Sequence, residues 1–556
     1  MCIPTNRPMT KKSTSAPDSN KPVPPAINPA TNENAPTDGG VVDALPRREF
    51  LRVAGGSAGL FMVGAAGIPL RPDAPSVKAT LRARATGRSS DIIVIGAGGW
   101  GSFTALNLIQ RGHKVTLVDA YGPGNARSTS GDETRGVRSS YGDRPGVQGE
   151  VWTLWARDAM KKWAAFDDEW GKHFRLNLFH VTGDLIMRTE WDNFQLRTKV
   201  WWDKHKVPYE ILSPADVKKS FPVMSIDDIT AVLYEPDAGV VRARRAAQAA
   251  ANAFEALGGK IVIGRAVPPT TNSTGRLDSI SLDTGETLRA DTFVFCVGPW
   301  MAKTFPELLA KKTRAPMGYV VYFGTPVNDQ RFTFPNLPSF NFPGVTGWAA
   351  LPVDNRGFRV RGTERAPGAP AGPPGTTPPA APGAAPAGRG DAAAGAGGRG
   401  AGAGGGGGGG GRGGQQADVP PAQLDPDTSD RWADATRVDG SRRFITHRFP
   451  LLKDAPVNQT HSCHYESTSS GDFIVDKHPQ LSNTWIVAGG NSEGFKMCPV
   501  IGEYAANRIT GIDGDPALVR AFKIPAKEYD PPAPPKPAAP ADSVRKPGGA
   551  PPEDSE

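Results

Sequence analysis

Cysteine is scarce. Four occur in 556 residues, at positions 2, 296, 463 and 498, and none form a C-x-x-C pair. This excludes a disulfide framework, and no ligand pairs with metal-site spacing are visible, so the fold must rest on its core. Charge of one sign is also in short supply. The formal net charge is +8, small for this length. No basic stripe with interleaved aromatics appears, so nucleic acid is not an expected partner. Long apolar runs are missing too. The nearest, residues 53–70 (VAGGSAGLFMVGAAGIPL), carries five glycines and Pro69 and makes a poor membrane span. Glycine and proline are in excess instead, at 66 and 54 residues, mostly in three segments. With 38% hydrophobic residues the remainder can still bury a large core.

The most informative stretch is residues 91–143. Ile92, Ile93, Val94 and Ile95 form a short apolar run suited to a buried parallel strand. Gly96, Gly98 and Gly101 follow in the spacing G-x-G-x-x-G, then a helical pattern (Phe103, Leu106, Leu108, Ile109) that ends at Gly112. A second strand from Lys114 to Val118 runs into Asp119. Such a βαβ unit holds a nucleotide. Gly96 permits the tight turn, Gly98 lets the backbone approach a pyrophosphate, and Gly101 lets helix and strand pack closely. Free N–H groups and the helix dipole face the phosphates. The Asp119 carboxylate, about twenty residues on, suits ribose hydroxyls. The pattern alone does not separate FAD from NAD.

The next residues do help. Thr134, Arg135, Arg138, Tyr141 and Gly142 resemble the segment G-D-T-R-x-x-R-x-x-Y-G of the flavoenzyme amine oxidases of the D-amino-acid oxidase superfamily, in particular the monomeric sarcosine oxidase and N-methyltryptophan oxidase group. Either arginine taken alone is also compatible with a solvated basic loop. Five further stretches are similar to that family. Residues 290–300, with Gly298 and Trp300, resemble V-x-C-A-G-x-W, which lies against the nucleotide; Cys296 there reads as a small buried hydrophobe. Residues 357–362 resemble G-x-K-x, with Arg359 in place of the lysine, and Thr363 stands where relatives carry histidine. Residues 461–466 and 472–479 resemble C-x-Y-T and F-I-I-D-x-H-P. Residues 485–503 resemble G-F-S-G-H-G-F-K, with Gly494, Phe495 and Lys496 matching and Glu493 in place of the histidine.

The resemblance implies an α/β (α+β) fold, in which a Rossmann-like FAD-binding domain carries a discontinuous substrate domain built on a mostly antiparallel sheet. It implies FAD as cofactor, with Cys463 as a candidate thioether attachment and His461 or His464 as groups that would favour its thiolate; a buried inert cysteine and a zinc ligand are the alternatives. Arg138 and Lys496 would bind a substrate carboxylate, with Arg135 and Thr134 beside the flavin. Tyr465 is either pocket lining or core. Glu493 would add negative charge near the amine, suiting a cationic or larger basic substrate. In the family, the lysine at the Arg359 position promotes reaction with oxygen. Arginine keeps the charge but bonds differently, so the electron acceptor stays open between oxygen and a periplasmic partner. Three readings follow for an amino-acid-like amine as substrate: an oxidase, a dehydrogenase of the same fold, or a flavin-bound binding or assembly subunit without turnover.

The chain divides accordingly. Residues 1–46 read as a disordered leader. Residues 47–85 open on Arg47-Arg48-Glu49-Phe50-Leu51 and look like a twin-arginine signal, implying partnership with that export machinery and a periplasmic location. An uncleaved anchor or a chance arginine pair are the alternatives. The FAD-binding domain is expected at 89–170, 236–305 and 456–525, and the substrate domain at 171–235 and 306–455. An Ala/Gly/Pro insertion at 366–420 and a tail at 526–556 read as disordered. Residues 176–187 read as two strands joined by a Thr-Gly turn, 191–221 as helix, loop and helix, 272–290 as a polar hairpin, and the tryptophans at 152, 155, 163 and 170 as helix packing.

Overall fold

Side chains that are apolar on both faces of a strand need cover on both sides, and Ile92–Ile95 find it in the middle of a six-stranded sheet. The computed structural model describes residues 91–144, 146–269, 275–353, 356–364, 425–512 and 514–530. The expected leader, the twin-arginine region, the insertion at 366–420 and the tail beyond residue 530 lie outside the described residues.

In the six-stranded sheet the order is Ile474–Lys477, Thr484–Ala488, Thr292–Phe295, Asp91–Ile95, Lys114–Asp119, Lys260–Ile263. All pairings are parallel except that of the Ile474–Lys477 edge. Helix Gly99–Gln110 packs against helices Ala243–Ala256 and Cys498–Ile509. The first of these presents buried alanines along one face (among them Ala246, Ala250 and Ala253), so the helices approach closely. Two glycines make the first turn possible. Gly96 sits at φ +102°, and a Cβ there would lie 2.4 Å from the Cys296 carbonyl oxygen. A Cβ on Gly101 would lie 1.7 Å from the Gly96 oxygen, the close helix–strand contact that its spacing implies.

A second, eight-stranded sheet runs in the order Val457–His464, Met317–Phe323, Phe358–Arg361, Val345–Trp348, Ser339–Phe342, Asp184–Arg188, Ala231–Glu235, Glu210–Leu212. Every pairing is antiparallel except Ser339–Phe342 with Asp184–Arg188. Its core is aromatic: Phe323, Phe340, Phe358, Phe444 and Phe449 cluster on one face. Helix Ala435–Arg448 supplies Phe444 and Ile445 to that core, and nothing in the sequence pattern announced it. The α/β class, with a Rossmann-like half and a mostly antiparallel half, is the one expected.

Four details differ from expectation. Phe179–Val181 and Asp184–Arg188 flank Gly183 (φ +70°) but form no hairpin. The first pairs with Gly239–Val241 in a three-stranded sheet, the second enters the eight-stranded one. Asp184–Arg188 is buried at every position, so it takes a partner on each side where the expected hairpin supplies one. Strand Val457–His464 pairs with Met317–Phe323, so the antiparallel sheet extends past the expected boundary at 456. The loop within 191–221 holds a short edge strand, Glu210–Leu212. Residues 526–530, assigned to the tail, pack on the body: the Tyr529 N–H donates to the Lys311 carbonyl at 2.8 Å and its ring lies under Arg314 at 4.0 Å.

Gly101→Ala is expected to destabilise the protein by about 3 kcal/mol or more, read as a drop in melting temperature with loss of bound cofactor. An unchanged melting temperature would mean that helix and strand can separate without loss.

Candidate active site

The carboxyl ends of the parallel strands face the antiparallel sheet across a cavity of about 470 Å³, the position where open α/β sheets take ligands. At one end lie Gly96, Gly98 and Asp119. The Asp119 carboxylate accepts the N–H groups of Ala97 (2.7 Å), Tyr121 (2.8 Å) and Gly122 (2.9 Å). Burial pushes its pKa up, opposed by these bonds. Gly298 and Trp300 line this end as well. The Trp300 indole donates to Asp427 at 2.8 Å, joined by Lys303 at 2.6 Å and Arg265 at 3.0 Å. Burial would raise the Asp427 pKa, but these three donors pull it to about 2. Asp427 therefore ties the segment that follows the insertion over the cavity.

The middle is organised by Asp132, which spacing did not single out. It is buried, and accepts from Arg135, from Arg359 Nη2 at 3.0 Å and from the Tyr322 hydroxyl at 2.6 Å. Burial opposes ionisation, yet Arg135 and Arg359 hold its carboxyl well below the usual range. Arg135 Nη2 also lies 3.2 Å from Cys463 Sγ. Here the expectation for the histidines fails. Burial lowers the His461 pKa to about 4, and that of His464 falls for the same reason. His464 instead bonds Ser429 and the Ala315 carbonyl. The cation beside the thiol is Arg135. Tyr465 lines the cavity. Thr134 does not: its hydroxyl accepts the Trp348 indole at 3.0 Å, which turns it away from the cofactor position expected for it. Gly101 also lies behind the lining, as its packing role requires.

A third part of the lining gathers Arg138, Glu493, Gly494, Phe495 and Lys496. Two indoles grip this loop, Trp100 on the Gly494 carbonyl at 2.9 Å and Trp163 on that of Lys496 at 2.7 Å. Trp163, read from the sequence as packing, thus also positions the site. Lys496 Nζ pairs with Glu493 and donates to the Tyr141 hydroxyl at 3.0 Å. Arg138 makes no hydrogen bond or ion pair among the described residues, and its Nε is buried without a partner. The next residue is anchored from below, for the Ser139 N–H donates to Glu235 at 2.9 Å. Glu466, in place of the family's threonine, is buried, accepts the Gly489 N–H at 2.6 Å, and burial pushes its pKa to about 8.

This donor set fits a dinucleotide carrying a redox ring. At the N-terminus of helix Gly99–Gln110 the Gly99 N–H is taken by Ser130 Oγ at 2.9 Å, and the remaining N–H groups of the first turn are those that a phosphate would meet. Along the cavity, polar atoms of Arg138, Arg359, His461 and Glu466 are buried without protein partners, and a buried polar atom of that kind calls for a ligand. FAD would sit with its phosphates at Gly96–Gly98 and its ring between Cys463 and the Gly494–Lys496 loop. Among the described residues no group of acidic, histidine or cysteine side chains suits a metal ion.

Two outcomes are expected. Asp132→Asn leaves two buried arginines short of a counter-charge and should cost about 3–5 kcal/mol in a denaturant melt. Glu235 is raised by burial from 4.5 to about 7, against the bonds from Ser139 and the nearby Arg157. A carboxyl raised on folding stabilises fully below about 4.5, and that contribution disappears as pH rises through about 7. Glu235→Gln should therefore flatten a loss on the order of 1–3 kcal/mol between pH 4.5 and 7.5; equal slopes in variant and parent would contradict it.

Comparison with known proteins agrees with this geometry. Monomeric sarcosine oxidase from Bacillus sp. (strain B-0618) is 24% identical over 427 residues, covering 74% of this chain and 90% of that protein. N-methyl-L-tryptophan oxidase from Yersinia pestis (strain Pestoides F) is 23% identical over 419 residues, covering 75% and 94%. The crystal structure of the deglycating enzyme fructosamine oxidase (Amadoriase II) from Aspergillus fumigatus has the same fold, with a TM-score of 0.59 at 20% identity, over 79% of this chain and 90% of that one. The sequence profile described as DAO, FAD dependent oxidoreductase, matches residues 91–508, well over half of the chain, and the chain belongs to that family.

Proposed function

We propose that this FAD-dependent oxidoreductase oxidises the C–N bond of an amino-acid-like amine, giving an imine that water hydrolyses. The observation that carries the reading is the polar cluster of Arg138, Glu493 and Lys496 in the cavity lining, with the Tyr141 hydroxyl bonded to the last two. The activities named for the two curated relatives, on sarcosine and on N-methyl-L-tryptophan, support it. When bound, FAD supplies a two-electron acceptor. The chain's own residues orient and enclose. Arg138 and the Lys496 cluster fix one end of the amine, which restricts the direction its C–H bond faces. The aromatic roof of Trp348 and Tyr465 limits access by water.

Cys463 is the proposed point of covalent attachment, since its sulfur lines the cavity with the Arg135 guanidinium 3.2 Å away. Export through the twin-arginine machinery to the periplasm is proposed from Arg47-Arg48 and the apolar run after it. The acceptor for the reduced cofactor is oxygen or a periplasmic carrier. One observation favours a dehydrogenase over an oxidase: the charge of Arg359 is shared with Asp132.

An anaerobic spectral screen tests the reading. At least one amine is expected to bleach the flavin band; bleaching by dithionite and by no amine would overturn it. Peroxide release would identify an oxidase, and dye reduction without peroxide a dehydrogenase. After acid precipitation the yellow colour should stay on the wild-type polypeptide and leave with the supernatant for Cys463→Ser.

A further inference from the structure

The cavity end that a substrate would enter already contains a carboxylate. Glu493 is 6% exposed. Its Oε2 is in ion contact with Lys496 Nζ and 3.4 Å from the Tyr141 hydroxyl, which itself accepts from Lys496 at 3.0 Å. Its influence reaches the second cation as well. Burial works against the charge of Arg138, and the largest favourable effect opposing that comes from Glu493, followed by Asp184 behind it. From the antiparallel sheet, Arg361 points at the same loop and donates to Ser492 Oγ at 3.0 Å.

Glu493 is also held by its backbone. Asn491 and Ser492, just before it, adopt left-handed φ values of 46° and 64°, a conformation that persists where surrounding bonds enforce it. The Asn491 amide enforces it here, donating to the carbonyls of Asp472 (2.9 Å) and Gly489 (2.7 Å) and accepting the Thr468 N–H (2.9 Å). The Glu493 N–H donates to the Gly490 carbonyl at 2.8 Å. After it, the Trp100 and Trp163 indoles fix the loop. A substrate therefore meets this carboxylate in place.

We propose that Glu493 is a specificity-determining residue: it supplies from within the chain the anion that the Arg138–Lys496 pair attracts, and so selects amines bringing an uncharged or cationic group, such as an amide, an ester or a second ammonium, to that end of the cavity. The inference rests on the reading of the cavity as an amine site. A free carboxylate entering there adds a second negative charge beside a buried one, and two such groups around one ammonium repel in a low-dielectric site. An amide can donate to Glu493 and accept from Arg138 with no added charge.

The test is a titration of the FAD-loaded wild type and Glu493→Gln with benzoate and with benzamide, followed by flavin absorbance and by calorimetry. Glu493→Gln should bind benzoate about tenfold more tightly or better, with benzamide little changed. Equal or tighter benzoate binding by the wild type, or binding by neither protein, would overturn the proposal. Glu493→His, equally checked for flavin loading, guards against a glutamine variant that does not fold. Anaerobic reduction is a second readout: the wild type should be reduced faster by N-methylglycinamide than by N-methylglycine, and Glu493→Gln should reverse or erase the preference. If no amine reduces either protein, the amine reading fails, while the benzoate titration still decides the role of Glu493.

Discussion

The two halves of this protein are held in register around one buried carboxylate. Tyr322 and Arg359 stand opposite each other on neighbouring strands of the antiparallel sheet, so both reach from that sheet to Asp132, on the loop that follows the dinucleotide-binding turn. Arg135, three residues on, completes the cluster and touches Cys463. A carboxylate taken out of water must be paired, and removing one partner leaves the rest stranded. Sliding one half against the other would break this cluster first. Buried ion pairs add little net stability compared with apolar packing, so its contribution is positional: it sets the arginines, the thiol and the roof in one arrangement.

A different device fixes the loop from Gly489 to Met497. It leaves a buried strand, passes through two left-handed non-glycine residues, and becomes the first turn of helix Cys498–Ile509. The helix N-terminus gives the ring end of the cavity a positive dipole, while the Trp100 and Trp163 indoles saturate carbonyls that would otherwise face it. Strain, dipole and hydrogen bonds thus converge on the segment that carries Glu493 and Lys496. Placing local strain at a site and enforcing it from a packed scaffold is how a loop acquires the precision of a strand.

What could be read from the chain was what short range determines. The βαβ turn is fixed by residues within one unit, and Gly96, Gly98, Gly101 and Asp119 take places that follow from backbone sterics and helix geometry. The Asp132 cluster could not be read this way, because its partners lie 190 and 227 residues along the chain. The histidines beside Cys463 are natural candidates by proximity in sequence, yet burial leaves them neutral. The partners of Asp184–Arg188 are hidden for a related reason: a strand buried on both faces carries no alternation to reveal them. Helix Ala435–Arg448 shows only a few apolar side chains, Phe444 and Ile445 among them, and polar residues around the rest.

The cations of the cavity follow a common rule. Arg135 and Arg359 are met by Asp132, Lys303 and Arg265 by Asp427, and Lys496 by Glu493. Each pair is assembled as the chain folds, so desolvation of these charges is settled before any ligand arrives. The consequence for an anionic dinucleotide is specific. Its phosphates would be held at a helix N-terminus by backbone N–H groups, where charged side chains such as Arg135, Arg359 and Lys303 already have carboxylate partners. The field that a bound redox ring would meet is thus set by these protein pairs. Arg138 departs from the rule, making no hydrogen bond or ion pair among the described residues. What opposes its burial is the field of Glu493, and behind that of Asp184, so one carboxylate on the Gly489–Met497 loop serves two cations of the cavity at once.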